Sequence, residues 1–438
     1  MIVRKGCAGR RAATISATEV LMMGLLGGRR ACSGWVAAIL LFCASAGYAK
    51  AEPADMPVVG SEAAVLIEQH TGNVLFVKNG DERLYPASIT KIATAILALE
   101  HSSMDDIVTV SKTARGEDGT RVYLAEGEQV SMEKLLYGMM LNSGNDAATA
   151  IAEHIDGSKE KFAARMNEFM RDTIGAYGTH FVNPSGLPDP EQYTTAADMA
   201  KLAKYAMDNT SFRRIVSTKK MPWAGREWTS TLENHNRMLT DYPGATGIKN
   251  GYTIAAGNTL VGSAEREGMS LIGVVLKAGS KNIAYADMTA MLDYGFANFG
   301  VKRLFAAGER YEMPAGAGDE TSEWVADKAI WGVYPKDSTS ETAIGADGSV
   351  TLEGERGSYA AGRLSPVKKE VAISAFAAKT DASAASKSDA ADRHRSPTVY
   401  VIVASFAAAL AAGALTMRRY RRRRHGGLYP AARRYDSD

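Results

Sequence analysis

Cysteine is nearly absent. The 438 residues hold three, Cys7, Cys32 and Cys43, all in the first tenth of the chain. Without that segment there is no thiol to oxidise or to ligate a metal, which excludes a disulfide-stapled scaffold. The seven histidines are scattered, with no pair at metal-ligand spacing and no C-x-x-C, so neither a metal nor a cofactor is expected. A basic body is missing too. The net charge of +2 combines basic ends with an acidic middle: residues 1–51 carry seven Lys/Arg and one Glu, and residues 398–438 carry eight Arg and two Asp. The chain between them has ten more acidic than basic groups. Nucleic acid is therefore excluded as a partner, because phosphate binding needs a basic face. With 46% hydrophobic and 23% charged residues, the chain is a globular protein with room for two or three domains.

Long apolar runs occur only near the ends. Arg29-Arg30 precede an apolar stretch from Trp35 to Ala46, and the small residues Ala49 and Ala51 follow at A-x-A spacing. This reads as a secretory signal over residues 1–51, cleaved after Ala51 or Ala49, with a retained anchor as the alternative and Met22 or Met23 as possible starts. At the other end, Thr398 to Met417 is a run of 20 uncharged residues, followed at once by six arginines, Arg418, Arg419 and Arg421 to Arg424. A helix of 20 residues spans about 30 Å, the thickness of the hydrocarbon core. The arginines hold residues 418–438 on the cytoplasmic side by the positive-inside rule. The expectation is a single-pass protein of the cytoplasmic membrane with its body outside.

Between these ends, residues 61–78 read as a β-hairpin, with Ala64 to Ile67 and Val74 to Val77 around Thr71-Gly72-Asn73. Residues 88–100 and 131–155 carry apolar groups at helical spacing, and Ser131 and Thr195 look like helix starts. Residues 257–277 read as two strands joined at Arg266-Glu267-Gly268. The mixture indicates an α/β or α+β body over residues 57–300. Residues 302–375 have short apolar runs among Gly, Ser and Thr, as in a small all-β domain. Residues 376–397 hold little apolar beyond alanine and read as a flexible linker.

The chemistry starts at Tyr85-Pro86-Ala87-Ser88-Ile89-Thr90-Lys91. Ile89, Ile92, Ala93, Ile96 and Leu97 leave this helix apolar nearly all round, so it is buried. Ser88 and Lys91 lie one turn apart on one face. A buried lysine is costly unless it is paired or neutral, and a neutral amine beside a hydroxyl makes an activated nucleophile. Alone, S-x-x-K also fits a capping serine and a snorkelling lysine. Two further groups follow. Ser143-Gly144-Asn145 sits between two helical runs, and Lys249-Asn250-Gly251-Tyr252-Thr253 reads as the beginning of a strand.

S-x-x-K, then S-x-N, then K-x-G resembles the signature set of penicillin-binding proteins and serine β-lactamases. The surroundings resemble the low-molecular-mass D-alanyl-D-alanine carboxypeptidases, through YPASITKIAT (85–94), MLNSGNDAATAIAEH (140–154), FVNPSGLPDP (181–190), TTAADMAKLA (194–203) and GIKNGYTIAAGNTLV (247–261). Serine β-lactamases are a weaker match, since they are released rather than tethered and usually carry Asp where Gly144 stands. The resemblance implies the penicillin-binding transpeptidase fold and assigns roles. Ser88 is the nucleophile and Lys91 its base. Ser143 passes a proton to the leaving amine and is held by Asn145. Lys249 attracts the substrate carboxylate, Gly251 lets substrate approach the strand, and Ser88 and Tyr252 backbone N–H groups form the oxyanion hole. It also implies peptidoglycan stem peptides ending in D-Ala-D-Ala as substrate and β-lactams as acylating inhibitors.

One position departs from the pattern. The residue between Lys249 and Gly251 is usually Thr or Ser, and here it is Asn250. Asn250 and Thr253 together are expected to retain carboxylate binding with altered strength. Three functions stay open at this point: a membrane-tethered DD-carboxypeptidase, a non-catalytic muropeptide- or β-lactam-binding protein, and a DD-endopeptidase.

Overall fold

The structure, a computed structural model, describes residues 55–313 and 322–367. Its centre is a five-stranded antiparallel sheet. The strands are β1 (Ala63–Glu68), β2 (Val74–Lys78) and, after two short hairpins, β7 (Ala245–Thr253), β8 (Gly257–Arg266) and β9 (Met269–Ala278). The hairpins are β3 (Ile107–Thr109) with β4 (Gln129–Ser131), and β5 (Lys220–Ala224) with β6 (Thr229–Glu233). The order across the main sheet is β2-β1-β9-β8-β7, so the first and third sequence blocks interleave and β7 forms one edge.

Both faces of the sheet are covered, which is why β1 and most of β9 are continuously buried. Ala63, Val65 and Ile67 of β1 enter one core, and Ala64 and Leu66 enter the other. The first core is helical: α1 (Lys91–His101), α2 (Lys112–Arg115), α3 (Met132–Leu141), α4 (Asn145–Asp156), α5 (Lys159–Glu168), α6 (Ala196–Asp208) and α7 (Thr210–Ser217). A single turn, α8 (Met238–Asp241), and the long α9 (Lys281–Asn298) belong to the second. The β8–β9 turn is the two-residue Glu267-Gly268, both at positive φ, the geometry that matches strand twist in a tight hairpin.

The expected helix starts are present. Ser131 Oγ accepts from Lys134 N–H, and Thr195 Oγ1 accepts from Asp198 N–H. The apolar stretch 131–155 is two helices, because Asn142 to Gly144 breaks it and Ser143 takes φ +61°. The K-x-G group closes β7 rather than beginning it, so it lies at the edge strand's end.

Beyond α9 the described residues are strands: β10 (Phe299–Phe305), β11 (Arg310–Met313), β12 (Ser322–Val325), β13 (Ile330–Pro335), β14 (Ser340–Ile344), β15 (Ser349–Gly354), β16 (Gly357–Arg363) and β17 (Ser365–Pro366). They form one two-stranded and two three-stranded sheets around Phe305, Ile330, Val350 and Leu364. The first begins at Phe299, three residues earlier than composition suggests. Among the described residues no helix is long and apolar enough to cross a membrane. The signal at 1–51, residues 368–375, the linker 376–397, the apolar run 398–417 and the tail 418–438 lie outside the described residues.

Candidate active site

Ser88 sits in a single 3-10 turn, Ala87–Thr90, that runs directly into α1. Ile89, Ile92, Ala93, Ile96 and Leu97 are almost completely buried, as the pattern requires, and they carry Lys91 inside with them. Its Nζ donates to Ser88 Oγ at 3.0 Å, to Asn145 Oδ1 at 2.7 Å and to the Ser185 carbonyl at 2.6 Å. Three acceptors hold one amine beside one hydroxyl. Burial, then the nearby positive charge of Lys249, pushes the Lys91 ammonium well below the usual lysine range, against the opposing pull of Asp146 and Glu117.

Asn145 opens α4, and its carboxamide is used at both ends: Oδ1 accepts from Lys91 while Nδ2 donates to the Asp118 carbonyl at 2.7 Å. Ser143, buried, lies two residues before it on the α3–α4 connection. The third group arrives on β7. Lys249 is 1% exposed, and burial brings its ammonium down to about 7. Its Nζ donates to the Asn250 carbonyl at 2.8 Å. Gly251 has no alternative: a Cβ there would stand 2.7 Å from the Ser88 backbone nitrogen and 2.6 Å from Thr259 Oγ1. Edge-strand backbone and nucleophile backbone thus meet where only hydrogen fits. Thr259 Oγ1 in turn donates to the Pro86 carbonyl at 3.0 Å, tying β8 to the nucleophile turn.

Three residues of this group are placed differently from Lys249 and Gly251. The Tyr252 side chain is exposed. Thr253 Oγ1 accepts from Ala256 N–H at 3.0 Å and so closes the β7–β8 turn. Asn250 has its Oδ1 buried without a hydrogen-bond partner.

Several supporting residues were not picked out from sequence. Asn183 Oδ1 accepts from Gly186 N–H at 2.8 Å, from Ser185 N–H at 3.2 Å and Oγ–H at 3.1 Å, and from Leu187 N–H at 3.2 Å. That hub aims the Ser185 carbonyl at Lys91. Thr94 Oγ1 fixes the same loop through the Pro184 carbonyl at 2.6 Å. Asp146, next to Asn145, accepts from the N–H groups of Val122, Leu124 and Ala147 between 2.9 and 3.1 Å, and burial raises its carboxyl above the usual range. It clamps the segment whose Asp118 carbonyl orients Asn145. The only sequence signals were a carboxylate following S-x-N and the turn-forming N-P-S-G.

A serine held to a neutral-leaning lysine, with a second serine, an asparagine and a second lysine around them, is the arrangement of an acyl-transfer enzyme. The D-alanyl-D-alanine carboxypeptidase family profile matches residues 49–280. The chain belongs to that family. It is 37% identical over 277 residues to the D-alanyl-D-alanine carboxypeptidase DacF of Bacillus subtilis, covering 61% of this chain and 70% of that protein. Penicillin-binding protein 5 from Haemophilus influenzae superposes with a TM-score of 0.63 at 27% identity, over 72% of this chain and 98% of that one. A DD-transpeptidase from Streptomyces superposes at 0.53 with 32% identity, over 56% of this chain and all of the other. Fold, serine-peptidase class and family are those the motifs implied.

Proposed function

We propose that this D-alanyl-D-alanine carboxypeptidase removes the terminal D-alanine from peptidoglycan stem pentapeptides through an ester on Ser88. The observation that carries this is the 3.0 Å pairing of Lys91 Nζ with Ser88 Oγ: in the neutral form that burial favours, the two N–H groups donate to Asn145 and Ser185 and the lone pair accepts from Ser88 O–H. Neutral Lys91 takes the Ser88 proton as Oγ attacks the carbonyl between the two D-alanines. The oxyanion forms against the backbone N–H groups of Ser88 and Tyr252, a pair supported by the close pass of Gly251. The C–N bond then breaks, Ser143 delivers its proton to the leaving amine and takes the proton held by Lys91, so that D-alanine departs and Lys91 is neutral again. Water, deprotonated by Lys91, attacks the ester; the shortened peptide leaves as a carboxylate and Ser88 regains its proton. A β-lactam acylates Ser88 by the same first step.

The body works outside the cytoplasmic membrane, exported by residues 1–51 and anchored by 398–417. The uncharged 20-residue run and the six arginines after it support that placement. Retention of the protein in alkali-washed membranes, with release by trimming at residues 376–397, tests the anchor.

D-alanine release from a pentapeptide by the full-length chain, beside Ser88→Ala, tests the activity. Release that the variant lacks is the expected result. Penicillin labelling of Ser88 without any release would instead favour a binding protein or an endopeptidase that needs cross-linked substrate.

A further inference from the structure

Tyr123 takes φ +55°, a left-handed backbone that a bulky residue adopts only at a cost, yet its side chain is 50% exposed. The cause is Asp146, whose carboxylate accepts from Val122 N–H at 3.0 Å and Leu124 N–H at 3.1 Å, turning out the residue between them. The Tyr123 ring meets Trp228 edge-on at 5.5 Å, and the Arg121 guanidinium stands over its face at 5.3 Å. This rim abuts the catalytic machinery. The Thr120 carbonyl accepts from Asn145 N–H at 2.8 Å, and the Arg121 carbonyl from Asn142 Nδ2 at 2.9 Å. A Cβ on Gly144 would stand 3.3 Å from the Val122 methyls. The guanidinium is not used up by the protein. Its Nε is buried without a hydrogen-bond partner, and its Nη1 reaches only the Arg115 carbonyl at 3.4 Å. Asp146, the carboxylate that feels its charge, is already taken by backbone N–H groups. Nearby, Glu227 pairs with Arg115 and Glu128 binds the backbone N–H groups of Ala125 and Arg226. In an acidic body this rim carries free positive charge, and a buried unpaired donor is costly unless a ligand uses it.

The length of the substrate says which part of it meets this rim. Beyond the scissile carbonyl a carboxypeptidase substrate has one residue, about 3.4 Å of extended chain. Tyr123 lies three residues past Thr120, which itself binds Asn145, so that stub does not reach it. Upstream of the scissile bond a stem pentapeptide has four residues, and these do. An aromatic ring already fixed in a strained position, with a cation over it, is a contact ordered before binding. We propose that Tyr123 and Arg121 form a subsite for the upstream part of the stem peptide, in which Arg121 pairs with a free carboxylate and Tyr123 covers the apolar stem beside it. Two positions can supply that carboxylate: the side chain of a diamino diacid as third residue, or the α-carboxylate of a γ-linked glutamate as second. A third residue ending in a bare ammonium, as lysine does, meets Arg121 as a like charge. This inference rests on the carboxypeptidase reading for its substrate.

The test measures D-alanine release by the full-length chain, Arg121→Ala and Tyr123→Gly. Four pentapeptides carry diaminopimelate or lysine as third residue, each with the glutamyl carboxylate free or as its carboxamide. N-acetyl-D-Ala-D-Ala, too short to reach the rim, is the fifth substrate. The parent should favour the peptides that bear the engaged carboxylate about tenfold in kcat/KM, and the set of four shows which carboxylate that is. Arg121→Ala should erase the preference. Glycine takes φ +55° without strain, so Tyr123→Gly should keep the fold and the rate on the short substrate while losing about threefold to tenfold on the pentapeptides. A parent indifferent to both carboxylates overturns the proposal, as does a preference that survives Arg121→Ala. An equal loss on short and long substrates overturns it too, by marking the pair as structural. If the parent releases D-alanine from none of the five, the carboxypeptidase reading falls; the slowing of benzylpenicillin labelling of Ser88 by the same compounds then reads the same preferences and decides the subsite.

Discussion

Gly186 presses on Ala87. A Cβ at residue 186 would stand 1.9 Å from the Ala87 carbonyl oxygen and 3.0 Å from the Ser88 nitrogen, and Gly186 itself sits at φ +87°. The loop that presents the Ser185 carbonyl to Lys91 is therefore wedged against the nucleophile turn with no room for a side chain. Gly186→Ala should cost about 2–4 kcal/mol through strain and overpacking. It should also slow penicillin acylation, because relief of the clash moves Ser88 or the Ser185 carbonyl. A thermal melt and a labelling time course check both; parent-like behaviour in the two would refute the wedge.

Lys91 must be neutral to act as a base. Its ammonium is held well below the usual lysine range, so acylation should fall as pH drops through that shifted value and Lys91 gains a proton. Lys91→Met should lower the acylation rate by about 10²–10⁴-fold and flatten the alkaline rise. Lys91→Arg, charged at every accessible pH, should be as inactive. Acylation rates measured across pH for the three proteins decide it.

Lys249 trades stability for function. Its folded value of about 7 lies below the ordinary lysine value of 10.5, so between them the unfolded chain binds more protons than the folded one. Stability should therefore rise with pH across that window, and the contribution should be missing below it. Lys249→Met removes the buried ammonium. It should unfold at higher urea than the parent near neutral pH, by an amount that shrinks toward about pH 10, while losing most acylation. A variant less stable than the parent at neutral pH would contradict this account.

Asp146 holds three backbone N–H groups in a buried place. Asp146→Ala leaves them unpaired and should cost about 3 kcal/mol or more, read as a lower urea midpoint. Because the clamped segment carries the Asp118 carbonyl that orients Asn145, acylation should slow as well in the fraction that remains folded. Lost stability with unchanged acylation would show that Asn145 holds its place without the clamp.

Local spacing made the chemistry legible. One helical turn separates Ser88 from Lys91, and that alone puts the hydroxyl and the amine on one face. The apolar residues around them announce that the lysine is buried. The hairpins at 63–78 and 257–278 were equally plain, because turn residues and apolar runs act over a few positions. Asn183, Ser185, Gly186 and Asp146 were not legible as site residues. Each acts largely through backbone groups, its own or a neighbour's, and backbone groups carry no sequence signature.

The sequence by itself picked out Ser88 and Lys91 as a candidate nucleophile and base, set the order of the three motifs and, with them, pointed to the family. It also determined that burial would tune the amine, since an all-round apolar helix can only be a core helix. The tertiary structure alone decided which distant groups complete the site. Ser185 lies 94 residues from the lysine it holds and Thr259 lies 173 residues from the carbonyl it binds. Those pairs meet because the β2-β1-β9-β8-β7 order sets β7 at an edge beside the nucleophile turn. Helical and strand periodicities reach only a few residues along a chain, whereas strand order and loop packing are settled by burial over the whole of it.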